Sequence, residues 1–413
     1  MDKAKTTEDS PVSSASKQGF IPRIASIDIL RALTMVLMIF VNDLGSLKDI
    51  PLWLEHVERG VDGIGLADVV FPAFLFIVGL SIPFAISNRK KKGDTDWQII
   101  MHILKRTVAL LIMGVFLVNG ETYNAEATGM ARYFWNPLCC LSFILIWNVY
   151  GEKIPKAVVY VLRALGIITL IILAFIYRGG TTGEEIYRFS QQWWGILGII
   201  GWAYLVSSLV MLFSRNKFWP LFIGWAFFCL LSIVNHAHLI PGNAFLFIPG
   251  AITGGTYIGL TMGGVVASYA FRYFHEKKDN RTMTIIFIFA VALLVGLSMI
   301  TRPYWGLAKL GSTPAWLFLC SAFTLGAFLV IYWLTDVKGK SSWFNLIRPA
   351  GTDTLLTYLM PYFAGFILRI VLHVHFPDFI ITGGVGLIKS FLFAMLCVGL
   401  TYSLNKAGVR LKL

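Results

Sequence analysis

Residues 66–86 read LADVVFPAFLFIVGLSIPFAI, with Asp68 as the single charged side chain. About 20 apolar residues let an α-helix cross roughly 30 Å of hydrocarbon at 1.5 Å per residue. Helices and closed barrels are the two structures that satisfy every backbone group in lipid, and barrel strands alternate polar and apolar residues. The unbroken run VVFPAFLFIVGL at 69–80 has no such alternation, so it reads as a membrane-spanning helix. Comparable stretches recur at 27–41, 100–118, 137–150, 157–177, 193–213, 218–234, 244–269, 284–300, 314–334, 352–372 and 379–404. The stretch at 137–150 is short, so the expected fold is an all-α polytopic bundle of about 10–12 spans.

Composition agrees with that reading. Of the 413 residues 57% are hydrophobic and only 14% charged, and the mean hydropathy is +0.71. Soluble domains carry about a quarter charged residues, so a water-soluble enzyme is excluded. Residues 1–22 are polar and lack the apolar core of a signal peptide, which predicts a disordered tail ahead of one transmembrane domain at 23–413. The cysteines Cys139, Cys140, Cys229, Cys320 and Cys397 lie in apolar runs without metal or disulfide spacing, and read as packing residues.

A formal net charge of +13 reports topology here rather than a nucleic-acid partner. When loops are assigned to alternate sides, 26 of the 35 basic residues fall on one side and 7 on the other, among them Lys48, Arg59, Arg302 and Lys309. The positive-inside rule then puts both termini in the cytoplasm and the loop holding Asp43, Asp49, Glu55, Glu58 and Asp62 outside. The lipid bilayer is the first expected partner, in a plasma membrane or, in a Gram-negative cell, the inner membrane. A homodimer is compatible with the sequence but not specified by it.

Ionisable side chains in or beside a span are costly and therefore point to function or structure. Asp28 and Arg31, three apart on the first span, pair on one helix face, and the guanidinium can also meet an anion such as a phosphate. At the far end Asn42 and Asp43 close the first span, His56 follows in the loop, and Asp68 opens the second. Asn42 supplies an amide donor; histidine is the side chain whose unperturbed pKa lies nearest neutrality; a carboxylate at Asp68 can hold an imidazole in one tautomer. A base with an orienting group and a neighbouring donor is the minimum for acid–base or acyl-transfer chemistry. His236 with His238, and His373 with His375, are too few ligands for a defined zinc site, so no metal is expected. Gly255, Gly259 and Gly263 recur every fourth residue, as at a close helix crossing.

These residues resemble a known family. RIASIDILRALT at 23–34, LMIFVN at 37–42, His56 and ADVVFPAFLFIVG at 67–79 are similar to the opening of the heparan-alpha-glucosaminide N-acetyltransferase family. Looser matches are WGILGIIG at 194–201, YWLTDVKG at 332–339 and GTDTLLTY at 351–358. The resemblance implies an acetyl-CoA-dependent membrane acyltransferase, taking the acetyl group from cytoplasmic acetyl-CoA to an amino sugar on the other side. It places the catalytic positions on Asn42 and His56, with Asp68 beside them. The route is either general-base catalysis by His56 or an acetyl-histidine intermediate, with Asn42 donating to the developing oxyanion. Arg31, Lys105 and Arg106 are the candidates for the CoA phosphates, and Asp28 and Asp43 are structural or orienting. Residues 241–244, PGNA, stand where that family carries an acidic stretch, and the loop between Asn42 and His56 is longer and more acidic, so a cell-envelope or scavenged amino sugar is expected rather than heparan. A transporter or flippase for a sugar is the alternative from another class; the gathering of Asn42, His56 and Asp68 at one mouth, rather than at the bilayer midplane, favours chemistry.

Overall fold

The computed structural model describes residues 24–180, 185–240 and 248–413. The expected tail at 1–22 and the 241–244 stretch lie outside them. The described residues form twelve long helices and no sheet, only isolated bridges. They are α1 (Ala25–Leu44), α2 (Leu66–Lys91), α3 (Asp96–Glu121), α4 (Arg132–Trp147), α5 (Lys156–Ile176) and α6 (Ile196–Phe213), followed by α7 (Phe218–His236), α8 (Thr256–Glu276), α9 (Asn280–Trp305), α10 (Pro314–Tyr332), α11 (Thr354–Phe366) and α12 (Gly383–Lys406). Single π turns, Trp333–Val337 and Ile367–Val371, extend α10 and α11.

Ten of these helices, counting α10 and α11 with their π turns, are long and apolar enough to cross a bilayer, so the protein is an integral membrane protein. The other two are α4 and α8. The first has only 16 residues. The second is less apolar because it lies inside the bundle, where Thr256, Thr261 and Ser268 are buried. Several buried hydroxyls are returned to the backbone of their own helix, as Thr34 Oγ1 donates to the Leu30 carbonyl at 2.8 Å and Ser321 Oγ to that of Leu317 at 2.8 Å. All five cysteines are buried and free.

The closest crossing joins α2 to α8. A Cβ on Gly79 would stand 1.9 Å from the Thr261 carbonyl oxygen, and one on Gly264 would stand 2.0 Å from that of Phe76. Only glycine lets two backbones meet so closely. The expected stripe of Gly255, Gly259 and Gly263 holds in part: a Cβ on Gly255 would stand 2.5 Å from the Phe228 carbonyl oxygen of α7, whereas the crossing with α2 uses Gly264 and Gly263 faces the Phe76 and Trp225 rings.

Contacts between loops group the helix ends into two sets. At one end, the α1–α2 loop is held to the α9–α10 loop, where Gly63 N–H donates to the Leu307 carbonyl, and to the α11–α12 loop, where Lys48 N–H donates to that of Ile381. At the other, Asp336 accepts the first backbone N–H groups of α1, and Val149 N–H donates to the Arg410 carbonyl. The second set carries most of the basic residues and is the basic end below. Near the opposite end Asp43 Oδ2 pairs with Lys389 Nζ at 2.7 Å and accepts from Ser390 Oγ at 2.6 Å, which ties α1 to α12.

Candidate active site

The N-terminus of α2 is capped from within. Asp68, in its first turn, accepts the Gly65 N–H and the Val57 N–H on Oδ2, each at 3.1 Å. Its other oxygen, Oδ1, lies 2.7 Å from His56 Nδ1. One buried carboxylate therefore ends a helix, folds back the preceding loop and fixes an imidazole. Gly65 makes this possible, because a Cβ there would stand 1.8 Å from the Glu55 carbonyl oxygen. The Asp68 side chain is 2% exposed and that of His56 46%, so the anchor is dry and the imidazole is open. An ionised carboxylate only accepts, so Nδ1 carries the hydrogen and a neutral His56 presents a free lone pair at Nε2. That is the arrangement of an oriented general base or nucleophile.

A third side chain arrives from the α9–α10 loop. Lys309 Nζ lies 3.2 Å from His56 Nδ1 and 3.4 Å from Nε2, and donates to the Ala67 carbonyl at 3.3 Å. Burial pushes its amine below the ordinary lysine range, against the opposing pull of the Asp68 carboxylate. The loop is fixed on several sides. Asp62 accepts from the Leu307 N–H at 2.8 Å and from Arg302 Nε at 3.0 Å on both oxygens. The Leu307 hydrogen bond, and then Arg302, hold the Asp62 carboxyl below its usual range. His236 Nε2 lies 2.9 Å from the Gly311 carbonyl oxygen, and Tyr257 Oη lies 2.6 Å from Ser312 Oγ. Trp316 Nε1 donates to the Asp68 carbonyl at 3.0 Å.

Asn42 stands exposed near the C-terminal end of α1, and its amide makes no hydrogen bond among the described residues. Asp43 faces α12 and has no contact with His56. The sequence reading missed Lys309, although a signal was there: it is one of few basic residues in loops that the charge rule leaves poor in them.

A cavity of about 1660 Å³ is lined by Arg31 to Met38 of α1, by the halves of α2, α3 and α5 nearer the basic end, and by the first turns of α6 and α11. Arg31, Lys105 and Arg106 all line it, together with Arg89, Lys156 and Arg163; the acidic lining is Glu152 and Asp353. The excess of cations favours an anionic ligand. Arg31 donates to Asp28 at 3.1 Å, to the Gly351 carbonyl at 3.2 Å and to Ser81 Oγ at 2.6 Å, which fixes it in the wall. Arg106 lies over the Tyr204 ring at 4.6 Å, and its Nε is buried without a partner. Along α2 the lining runs from Arg89 to Phe74, about 22 Å at the helical rise, and along α1 it reaches Met38. Met38 is one turn below Asn42, and Phe74 is about 9 Å along α2 from Asp68.

Among the described residues no group of three or more histidine, cysteine or acidic side chains is placed to hold a metal. Residues 23–248, more than half of the chain, match the family described as Domain of unknown function (DUF5009). The chain belongs to the DUF5009 family. Over 99 residues it is 32% identical to heparan-alpha-glucosaminide N-acetyltransferase of Homo sapiens, and over 98 residues it is 34% identical to that of Mus musculus. Each alignment covers 24% of this chain and 14% of the relative, a distant relationship between this DUF5009 protein and that acetyltransferase family.

Proposed function

We propose that this chain is a membrane acetyltransferase that takes an acetyl group from acetyl-CoA, entering at the basic end, and delivers it to an amino sugar at the end that carries His56. The observation that carries this reading is the oriented His56–Asp68 pair, with Asp68 about 9 Å along α2 from Phe74, the nearest residue of that helix to line the cation-rich cavity. The phosphates of CoA suit Arg31, Lys105, Arg106 and their neighbours, and a thin thioester arm suits the apolar wall of Met35, Met38, Phe74 and Val78. A thioester is already activated. The protein has to bring two substrates together, remove a proton from the acceptor and stabilise the tetrahedral oxyanion, the part assigned to the unpartnered amide of Asn42. The charge rule makes the basic end cytoplasmic, so donor and acceptor would meet from opposite sides of the membrane.

The test uses purified protein in liposomes with acetyl-labelled CoA and a panel of amino sugars, comparing wild type with His56→Ala and Asn42→Ala. Release of CoA that requires an amino sugar and vanishes in His56→Ala supports the reading. Release independent of any acceptor, or equal in wild type and His56→Ala, overturns it and turns the question to sugar uptake through the same cavity.

A further inference from the structure

We propose that Lys309 is a second base of this site, which takes the first proton from an ammonium acceptor before His56 takes the second. The inference rests on the acyl-transfer reading above and assigns the acceptor to the amines rather than the alcohols. An amino sugar reaches the site largely as R–NH₃⁺, which has no lone pair. It must lose two protons in becoming an amide, whereas a hydroxyl loses one in becoming an ester. A site with His56 alone suffices for the hydroxyl. The protein instead places a second basic nitrogen 3.4 Å from His56 Nε2, close enough for both to address one acceptor nitrogen.

The surroundings suit that task. Lys309 is desolvated, which favours its neutral, proton-accepting form. The groups that face it are His56 from the α1–α2 loop, Asp68 from α2 and Cys320 from α10. Tyr257 of α8 reaches the same loop through Ser312, and Asp62 with Arg302 holds its start. Loop closure alone is already provided by those bonds, and the Lys309 hydrogen bond to the Ala67 carbonyl leaves donors on the amine unspent.

The step balances. Lys309 Nζ takes one proton from R–NH₃⁺; the freed lone pair forms the C–N bond at the thioester carbonyl, whose π pair moves to oxygen. His56 Nε2 takes the second proton from the now cationic nitrogen. As the carbonyl re-forms, the C–S bond breaks, and the thiolate receives the proton held by His56. The proton on Lys309 passes to water, so the products are amide, free thiol and one released proton.

Wild type, Lys309→Met and Lys309→Arg are compared in liposomes with acetyl-CoA and glucosamine across a pH series, and Lys309 is also labelled with trace acetic anhydride and followed by peptide mass spectrometry. At neutral pH both variants are expected to lose kcat by about 100-fold with KM little changed. The deficit shrinks at alkaline pH, where glucosamine is already a free amine. A guanidinium cannot accept the proton, so Lys309→Arg gives no rescue. A deficit equal at all pH, or restored by arginine, marks a structural role and overturns the inference while the acyl-transfer reading stands. If wild type transfers no acetyl group, that reading fails and labelling decides the lysine: reaction at lower pH than the exposed Lys153 supports a neutral base, and reaction at the same pH overturns it.

Discussion

Asp62 accepts Arg302 Nε at 3.0 Å on both carboxylate oxygens, and one of those oxygens also accepts the Leu307 N–H. This joint brings the end of α9 onto the loop that carries His56, and it sets where Lys309 stands. Asp62→Asn is expected to weaken the joint without unfolding the bundle, since both side chains are at the surface. On the proposed function, acetyl transfer should fall about 10- to 100-fold, the usual result of a small misplacement in a reactive site. The check is the turnover number, together with faster amide exchange at Gly63 and Leu307.

Asp68→Asn removes the charge that fixes His56 and leaves a group that can turn its amide N–H toward Nδ1. The imidazole then adopts the wrong tautomer, and turnover is expected to drop by about 10² or more. Stability should fall by only about 1 kcal/mol, the size of a lost helix cap. Thermal melting measured beside turnover separates the two effects.

Lys309 gives the protein a pH signature of its own. Its folded-state pKa lies below its unfolded value, with burial as the main cause. Between those two values the unfolded chain holds the extra proton, so stability rises with pH and stops rising near about 10.4, the ordinary lysine value. Melting of wild type and Lys309→Met across that window should show the rise in wild type and a flatter curve in the variant.

Asp43 and Lys389 form an ion pair with side chains only 17% and 14% exposed. Removing one partner leaves a lone charge at the edge of the lipid, and Lys389→Met is expected to cost about 3 to 5 kcal/mol. Asp43→Asn combined with Lys389→Met should recover much of that loss. Urea or thermal unfolding of both variants in detergent measures the difference.

Gly264→Ala is expected to destabilise the protein by about 1 to 3 kcal/mol, because its new methyl meets the Phe76 carbonyl and must push α2 from α8. Gly365→Ala, where a Cβ meets nothing within 4 Å, is the control and should be near neutral. Melting temperatures of the two variants make the comparison.

The helices were legible because lipid leaves few choices. A run such as 69–80 has to satisfy its own backbone, and that requirement acts on local sequence. The exceptions are informative: α4 is short, and α8 is less apolar because neighbouring helices rather than lipid surround it. The His56–Asp68 pair was also within reach, since 12 residues and one helix start join them.

The charge rule marks Lys309 as unusual but not its place beside His56, because 253 residues separate the two and no local pattern encodes that meeting. The sequence by itself determined the membrane setting, the helices, the alternation of basic and polar ends, and the candidate base with its carboxylate. Only the tertiary structure decided which loops touch, through Asp62, Arg302 and Leu307, and which glycine lets α2 and α8 meet. It also gathered Arg31, Lys105 and Arg106 around one cavity. Hydrophobicity and charge act residue by residue along the chain, whereas a site is made by contacts between distant segments that form only when the helices pack.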